Sequence, residues 1–222
     1  MANCAYCNSE NANTADHVPP KGLFPKPRPS DLITVPSCLS CNGEASSDEE
    51  YFQRVLLFGP AGLTEPGQRL WETTARRGFA KNAGMAKRFR NALRQVNVRS
   101  RAGLHLGEAT GLKLEHETIE RVINKTIRGL YCFEFTEVLD PRAVVQSQPL
   151  DTQQRVDEVE RIARACGQGS RSWPEFQYRF GRAPERPTGS AWFLRFYERT
   201  LFWGISSLPE DWSRVRDARS QN

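Results

Sequence analysis

The chain lacks any long apolar run. Its mean hydropathy is −0.60, and no segment approaches the roughly 18 apolar residues that a membrane-spanning helix needs. The first residues, Met-Ala-Asn-Cys-Ala-Tyr-Cys, have neither the basic start nor the apolar middle of a secretory signal. Internal repeats and low-complexity tracts are also missing. These absences argue against a membrane protein and a repeat array, and we expect a cytoplasmic protein with no membrane partner.

Acidic residues are missing from one long stretch of the sequence. Between Thr73 and Gly107 there is no Asp or Glu, although the whole chain carries 26 acidic and 31 basic residues for a net charge of +5. Clustered cations neutralise phosphates, so this stretch predicts a surface that contacts DNA, with RNA left open. The alternative is a merely solvated basic helix. With Lys21, the candidate contacts are Arg76, Arg77, Lys81, Lys87, Arg88, Arg90, Arg94, Arg99 and Arg101.

Four of the six cysteines form two matched pairs. Cys4 and Cys7 make one C-x-x-C pair, and Cys38 and Cys41 make the other. Two such pairs in a short span let both loops converge on one tetrahedral ion, whereas a single pair would be redox chemistry or chance. The sequence therefore predicts one structural Zn²⁺ held by Cys4, Cys7, Cys38 and Cys41.

Hydrophobic patterning predicts an α+β fold in three parts. A zinc-stapled module over 1–58 has little core of its own, so the metal replaces that core. The segment 59–130 is predicted to be helical and basic, and 131–222 is predicted to combine a helix with antiparallel strands and has no assigned role.

Individual elements follow from local signals. We predict a helix from Asn42 that is capped near Ser46 to Asp48 and ends at Gly59-Pro60. Two helices broken near Gly84 follow, the second with Met85, Phe89, Leu93 and Val96 on one face. Further predictions are a helix over 115–130, a strand over 131–138, a helix near 151–166, strands at 176–180, 191–197 and 200–205, and a long hairpin loop over 181–189.

The segment between the two cysteine pairs contains Asp16-His17, and Asn42 follows the second pair directly. In this combination, residues 1 to about 55 resemble the HNH, or ββα-metal, endonucleases, in the subgroup with two zinc knuckles. That layout is C-x-x-C, an acid-His pair on a strand, a loop Asn, and C-x-x-C-Asn opening a helix. The resemblance implies a ββα-metal fold and a phosphodiesterase that cuts DNA.

Histidine suits the general base of such a reaction, because its unperturbed pKa is about 6.5. His17 is therefore the predicted base. By resemblance, Asp16 and Asn42 share one catalytic divalent ion, Mg²⁺ or Mn²⁺, since hard cations prefer oxygen ligands.

Two positions depart from the commonest family pattern. Asn42 stands where the family often has a helix histidine, which fits one variant of the family, and the other position is Asp31. It stands where the family has the loop asparagine that orients the histidine, so it is expected either to accept a hydrogen bond from the imidazole or to bind metal. Blander interpretations apply elsewhere. Residues 48–50 suit the N-terminus of a helix by charge, Cys132 and Cys166 suit core thiols, and His105 and His116 have no partner at ligand spacing.

Two other functions stay open at this stage. The chain can be a zinc-ribbon module that binds nucleic acid without cutting it, with Asp31 marking lost chemistry. It can also be a nuclease effector of a bacterial phage-defence system, silent until a regulatory protein, a ligand or a second copy activates it.

Overall fold

The computed structural model describes residues 2–100, 102–150 and 153–211. It combines helices with antiparallel sheets, so the predicted α+β class is confirmed. Among the described residues, no helix is long and apolar enough to cross a membrane. Arg101, one of the predicted nucleic-acid contacts, lies outside the described residues.

The N-terminal part has the order strand, strand, helix. Strand β1 (Thr14–His17) pairs antiparallel with β2 (Thr34–Ser37), with Asp16 opposite Val35 and His17 opposite Thr34. A short helix, α1 (Leu39–Gly43), follows at once, and α2 (Ser46–Phe58) comes next. This part therefore has the ββα order that the resemblance implies.

The predicted start of the first helix at Asn42 is wrong. Helix α1 begins at Leu39, because the Cys38 sulfur accepts a hydrogen bond from the Cys41 backbone N–H and caps the helix. The predicted side-chain cap near Ser46 is also wrong: the cap residue of α2 is Ala45, which has helical dihedrals and makes no side-chain cap bond. The predicted stop is confirmed, since α2 ends at Phe58 before Gly59.

The middle of the chain is a series of short helices. They are α3 (Glu65–Leu70), a π-helical turn (Trp71–Ala75), α4 (Arg76–Lys81) and α5 (Ala83–Ala92). The predicted break near Gly84 is confirmed in substance. It lies at Asn82, whose side-chain oxygen accepts a 3.0 Å hydrogen bond from the backbone N–H of Met85 and so caps α5.

The predicted extension of the second helix through Leu93 and Val96 is wrong. Strands β3 (Leu93–Arg99) and β4 (His105–Leu112) form an antiparallel hairpin there, which we call the arm. Alternating Val96 and Val98 favour a strand because β-branched side chains suit extended backbone. Every residue of β3 is exposed, so apolar spacing did not mark a buried helical face in this stretch.

Helix α6 (His116–Phe135) is longer than predicted. The predicted strand over 131–138 is wrong, because Tyr131 and Phe135 continue the buried helical face and their rings lie 4.8 Å apart, edge to face, one turn from each other. The predicted helix near 151–166 is confirmed as α7 (Gln153–Arg164).

The C-terminal part contains a five-stranded antiparallel sheet in the order β5-β9-β8-β7-β6. The three predicted strands are confirmed as β7, β8 and β9, but the long loop predicted over 181–189 is wrong. Gly181 pairs with Ala191 and Ala183 with Arg186, so this hairpin turns tightly. The strands are β5 (Val144–Pro149), β6 (Gly167–Gln168), β7 (Phe176–Ala183), β8 (Arg186–Phe196) and β9 (Thr200–Ser207).

One buried cluster contains residues from every part of the chain. The Phe52 ring of α2 lies 5.2 Å from the Phe196 ring of β8, and Phe24 lies 5.4 Å from Trp173. The Tyr197 hydroxyl also donates to the Leu23 carbonyl. The N-terminal ββα part therefore packs on the C-terminal sheet, while the predicted division at 58 and 130 stays a prediction.

Candidate functional site

The four paired cysteines lie together. Their sulfur atoms all fall within 4.8 Å of one another, and the Cys7 and Cys38 sulfurs are 3.9 Å apart. A tetrahedral zinc with Zn–S bonds of about 2.3 Å separates its sulfurs by about 3.8 Å. The cysteine cluster therefore fits one zinc-type ion.

Backbone donors favour the thiolate form that a metal requires. Burial acts to raise the pKa of the Cys4 thiol, but hydrogen bonds from the backbone of Cys38, Cys7 and Tyr6 outweigh burial and lower it to about 6. The Cys7 pKa is also lowered, chiefly by its hydrogen bond with the Ser9 hydroxyl. Thiolates are the metal-binding species, so these contacts favour metal binding at Cys4 and Cys7. Burial and the neighbouring thiols instead raise the pKa of Cys41.

The first cysteine pair is fixed to the hairpin by the backbone. The Ala5 N–H donates to the Pro36 carbonyl at 2.9 Å, which joins the first knuckle to β2. The second pair follows β2 directly, with Cys38 and Cys41 flanking the first turn of α1. An ion in the cluster would thus fix where the helix starts relative to both strands.

Asn42 contacts β1 across this junction. Its side-chain amide donates to the Thr14 hydroxyl at 3.1 Å and to the Ala15 carbonyl at 3.4 Å. The amide nitrogen is therefore occupied by the strand that carries His17, which leaves the side-chain oxygen of Asn42 for another partner. Asn42 therefore lies against the β1 strand, and its predicted role as a metal ligand stays a prediction.

His17 ends β1 and is half-buried. Burial lowers its pKa below 6.5, the charges of Lys21 and Arg28 lower it further, and Asp16 opposes them. No hydrogen bond to its ring is found among the described residues. The imidazole is therefore neutral near pH 7 and has a free nitrogen, which is the state that a general base requires.

Asp16 points to the other side of the strand and is only 7% exposed. One carboxylate oxygen accepts from the His17 backbone N–H at 2.9 Å. The other accepts from the Tyr6 hydroxyl at 3.0 Å and pairs with the Lys125 ammonium at 2.7 Å. In this arrangement both oxygens have protein partners, so Asp16 does not present a free ligand for a divalent cation.

Sequence reasoning missed Lys125, which lies at the centre of this contact. Its ammonium bridges Asp16 and Glu49, the latter at 2.9 Å. Burial alone would lower the Lys125 pKa, but the two carboxylates raise it overall. Burial raises the pKa of Glu49. No local motif could have identified Lys125, because it is more than a hundred residues from Asp16.

The predicted helix-terminal acids are confirmed in position and have a second role. Asp48 and Glu49 lie in the first turn of α2, where they complement the helix dipole. Asp48 also pairs with Arg121 at 2.7 Å. These ion pairs fasten α2 to α6 beside the cysteine cluster.

Asp31 does not contact His17 in the part of the chain that the structure describes. One of its oxygens accepts a hydrogen bond from the Trp173 indole N–H at 3.1 Å, and the other lies 3.9 Å from Arg171. Trp173 in turn packs on Phe24. The observed contacts of Asp31 therefore join the loop between β1 and β2 to the C-terminal part.

The predicted basic contacts divide into two groups. Arg88 makes a bidentate ion pair with Glu115, at 2.7 Å for one of its bonds, and stacks 4.2 Å over Tyr51, so it fastens α5 to α6. The other described candidates are exposed. These exposed cations are Lys21, Arg76 and Arg77 and Lys81 of α4, Lys87 and Arg90 of α5, and Arg94 and Arg99 of the arm.

Comparisons with protein-family models, with curated proteins and with solved structures give no significant match to this chain.

Proposed function

We propose that the chain is an HNH-type endonuclease whose N-terminal ββα part hydrolyses phosphodiester bonds, with His17 as the general base. One observation carries the proposal. His17 ends the first strand of a ββα unit whose helix start lies within a four-cysteine cluster, and Asn42 of that helix contacts the histidine's strand. These are the residue types and the order that the family resemblance requires.

The state of His17 supports a base role. Its lowered pKa keeps the imidazole neutral at physiological pH, and its half-buried ring has no described protein partner. A neutral imidazole can take a proton from water as that water attacks phosphorus and the bond from phosphorus to the leaving oxygen breaks; the leaving oxygen then takes a proton from solvent. Lys21 begins the 3₁₀ turn Lys21–Leu23, which follows β1. Its positive charge lies near His17 and would favour the binding of a phosphate there.

The residues present fit one of the two predicted metal ions better than the other. The cysteine cluster fits a zinc-type ion, and we propose that one Zn²⁺ there is structural, since four thiolates leave no open position. Asn42 offers an oxygen to a catalytic Mg²⁺ or Mn²⁺, but Asp16 does not fit while Lys125 holds it. The need for a catalytic cation therefore stays a prediction, and the proton transfer from water to His17 involves only a protein group.

The exposed cations on α4, α5 and the arm support binding to a nucleic-acid backbone. A series of phosphate contacts makes affinity fall steeply with salt. Replacing Arg94 and Arg99 together with glutamine should weaken DNA binding and reduce the salt slope by about two. An unchanged slope would remove the arm from the interface.

The test of the proposed function is a plasmid-cleavage assay with zinc-loaded protein at low salt. His17→Ala should reduce the cleavage rate by at least about 100-fold, because a positioned base contributes roughly that much. His116→Ala is the matched control, since His116 lies exposed at the start of α6 and outside the arm, and it should cleave like the wild type. Added Mg²⁺ or Mn²⁺, with EDTA in a parallel reaction, tests the metal requirement.

Equal cleavage by wild type and His17→Ala would contradict the role of His17. Cleavage that survives EDTA while zinc stays bound would contradict the catalytic cation but not the base. No cleavage by any folded, zinc-loaded protein under these conditions would count against the nuclease itself.

A second candidate function is a zinc-stabilised module that binds nucleic acid without cutting it. The contacts of Asp16 and Asp31 favour it. Lys125 pairs with the Asp16 carboxylate, Trp173 and Arg171 contact the Asp31 carboxylate, and neither carboxylate has a described hydrogen bond with the His17 ring. This function predicts that DNA binding survives His17→Ala while neither protein cleaves.

A further inference from the structure

A cavity of about 380 Å³ lies between helices α2 and α6 and the edge of the C-terminal sheet. Leu56 of α2, Ile119 and Ile123 of α6 and Phe202 of β9 line it. One turn beyond Ile123, Ile127 packs so closely on Gly204 that a side chain at Gly204 would overlap it. The helix and sheet are therefore in direct contact at Ile127 but leave a space beside Ile119 and Ile123.

Two hydroxyls of the cavity wall lack partners. Ser147 of β5 and Thr200 of β9 both line the cavity, and their oxygens are buried with no hydrogen bond among the described residues. A buried hydroxyl without a partner destabilises the fold. Rotation about χ1 to another staggered position would offer either hydroxyl to a bound molecule. The cavity thus combines apolar walls with two available hydrogen-bonding groups, as ligand sites commonly do.

The charge of the walls restricts what can bind. A second cleft of about 260 Å³ adjoins the cavity and shares Glu120, Ser147 and Gln148 with it. No lysine or arginine is among the described residues that line either space, and Glu120 is the acidic one. His116 also lines the cavity, so an anionic ligand would find one imidazole and no permanently charged cation there, and phosphates and nucleic acid do not suit this site.

We propose that this cavity binds an uncharged, mainly apolar small molecule that carries a hydrogen-bonding group. At about 30 Å³ per non-hydrogen atom, the cavity of about 380 Å³ holds about a dozen such atoms and the adjoining cleft of about 260 Å³ about nine more. Ile123 lies two residues from Lys125, so the ligand would contact the same helix that holds Asp16. The inference does not depend on nuclease activity.

The test uses two dyes that differ by one anionic group. N-phenyl-1-naphthylamine is uncharged, and 8-anilino-1-naphthalenesulfonate is the same ring system with a sulfonate. Titration of the full-length, zinc-loaded protein, followed by dye fluorescence, should give saturable binding of the uncharged dye at one site per chain. The sulfonate should bind at least tenfold more weakly, because the lining has no permanently charged cation to pair with it.

Variants locate the site. Ser147→Leu fills the cavity and removes an unpartnered hydroxyl, and it should weaken binding of the uncharged dye at least tenfold. Leu114→Trp narrows the cavity from the half-buried segment before α6 and should do the same if Ser147→Leu does not fold. Leu106→Ser is the control, since Leu106 is a 60% exposed apolar side chain of the arm, and it should bind as the wild type does.

Three results with the two dyes and the cavity variants would overturn the proposal. They are no saturable binding of the uncharged dye, equal binding of the sulfonate, and wild-type affinity in folded Ser147→Leu or Leu114→Trp. Loss of binding in Leu106→Ser would move the dye to the exposed arm and would overturn it as well.

Discussion

At the scale of single residues, the alternation of a β-strand decides which groups can act together. Asp16 and His17 are neighbours in sequence, but they point to opposite faces of β1. Asp16 is buried and pairs with Lys125 of α6. His17 is half-buried, and its ring has no hydrogen-bond partner among the described residues. We infer that Asp16 positions the strand and that His17 faces the substrate.

The Lys125 ion pairs should contribute strongly to stability. Lys125→Met would leave Asp16 buried without its charge partner and would strip Glu49 of its only described cation. We expect a loss of about 3 kcal/mol in the free energy of unfolding, since removing one partner of a buried ion pair leaves the other charge buried and uncompensated. Urea unfolding of the zinc-loaded protein measures it.

Lys87→Met is the matched control, because Lys87 is exposed on α5, and it should change stability by no more than about 0.5 kcal/mol. Adding Asp16→Asn to Lys125→Met should recover part of the loss. Equal stability of the two lysine variants would show that the Lys125 pairs contribute nothing.

The sequence predicted the cysteine cluster but not the residues around Asp16. Cys4, Cys7, Cys38 and Cys41 could be found because their spacing has one common chemical meaning. Lys125 could not, since an ion pair between distant elements leaves no pattern in either element. Asp31 was assigned by its place in the family layout, and its contact with Trp173 depends on packing that no local rule predicts.

At the scale of elements, the junction between β2 and α1 organises the candidate site. Cys38 both caps α1 and belongs to the cysteine cluster. Helix α1 is only five residues long, which is too short to be stable alone. The N-terminal part therefore depends on packing against α6 and, we propose, on an ion in the cysteine cluster.

Loss of one cysteine should release the metal and loosen this part. Cys41→Ser is expected to bind less than one zinc per chain and to melt at a lower temperature, because metal affinity contributes directly to folding. Zinc analysis and circular-dichroism melting measure both effects. Cys166→Ser, a half-buried thiol outside the cluster, should keep its zinc, and full zinc content in Cys41→Ser would contradict the four-cysteine site.

Close packing of α6 on the segment after His17 gives another prediction. A Cβ atom at Gly129 would come within 2.5 Å of a Val18 methyl group. Gly129→Ala should therefore cost about 1–3 kcal/mol by overpacking, despite the usual gain of alanine in a helix. Gly43→Ala meets nothing within 4 Å and serves as the control in the same unfolding experiment, where equal effects would contradict the close contact.

Element prediction succeeded where composition and period agreed. The C-terminal strands alternate large apolar residues, as in Phe176, Tyr178 and Phe180 of β7, and were predicted correctly. The prediction for the arm was wrong. A helical period fits Met85, Phe89, Leu93 and Val96, but the helix ends at Ala92. In such a segment only the β-branched residues favour a strand, and their strand propensity is a weaker indication than the helical spacing of the apolar residues.

At the scale of the molecule, one core links the candidate site to the rest of the chain. Phe52 of α2 contacts both Phe196 and Phe202 of the sheet. Helix α6 also contacts both parts: it packs on α2 and β2 of the N-terminal part and on β5 and β9 of the sheet. The C-terminal part, to which the sequence assigned no role, thus supports the helices that hold β1.

The most direct test of the central claim is the pH dependence of single-turnover plasmid cleavage, compared with the His17 titration followed by NMR in the same protein. The proposed base acts in its neutral form, and the pKa of His17 is lowered, so the rate should decline at acid pH with a midpoint below 6.5. We expect the midpoint of that decline to equal the measured His17 pKa. A rate that stays constant through the His17 titration would contradict a general-base role for His17.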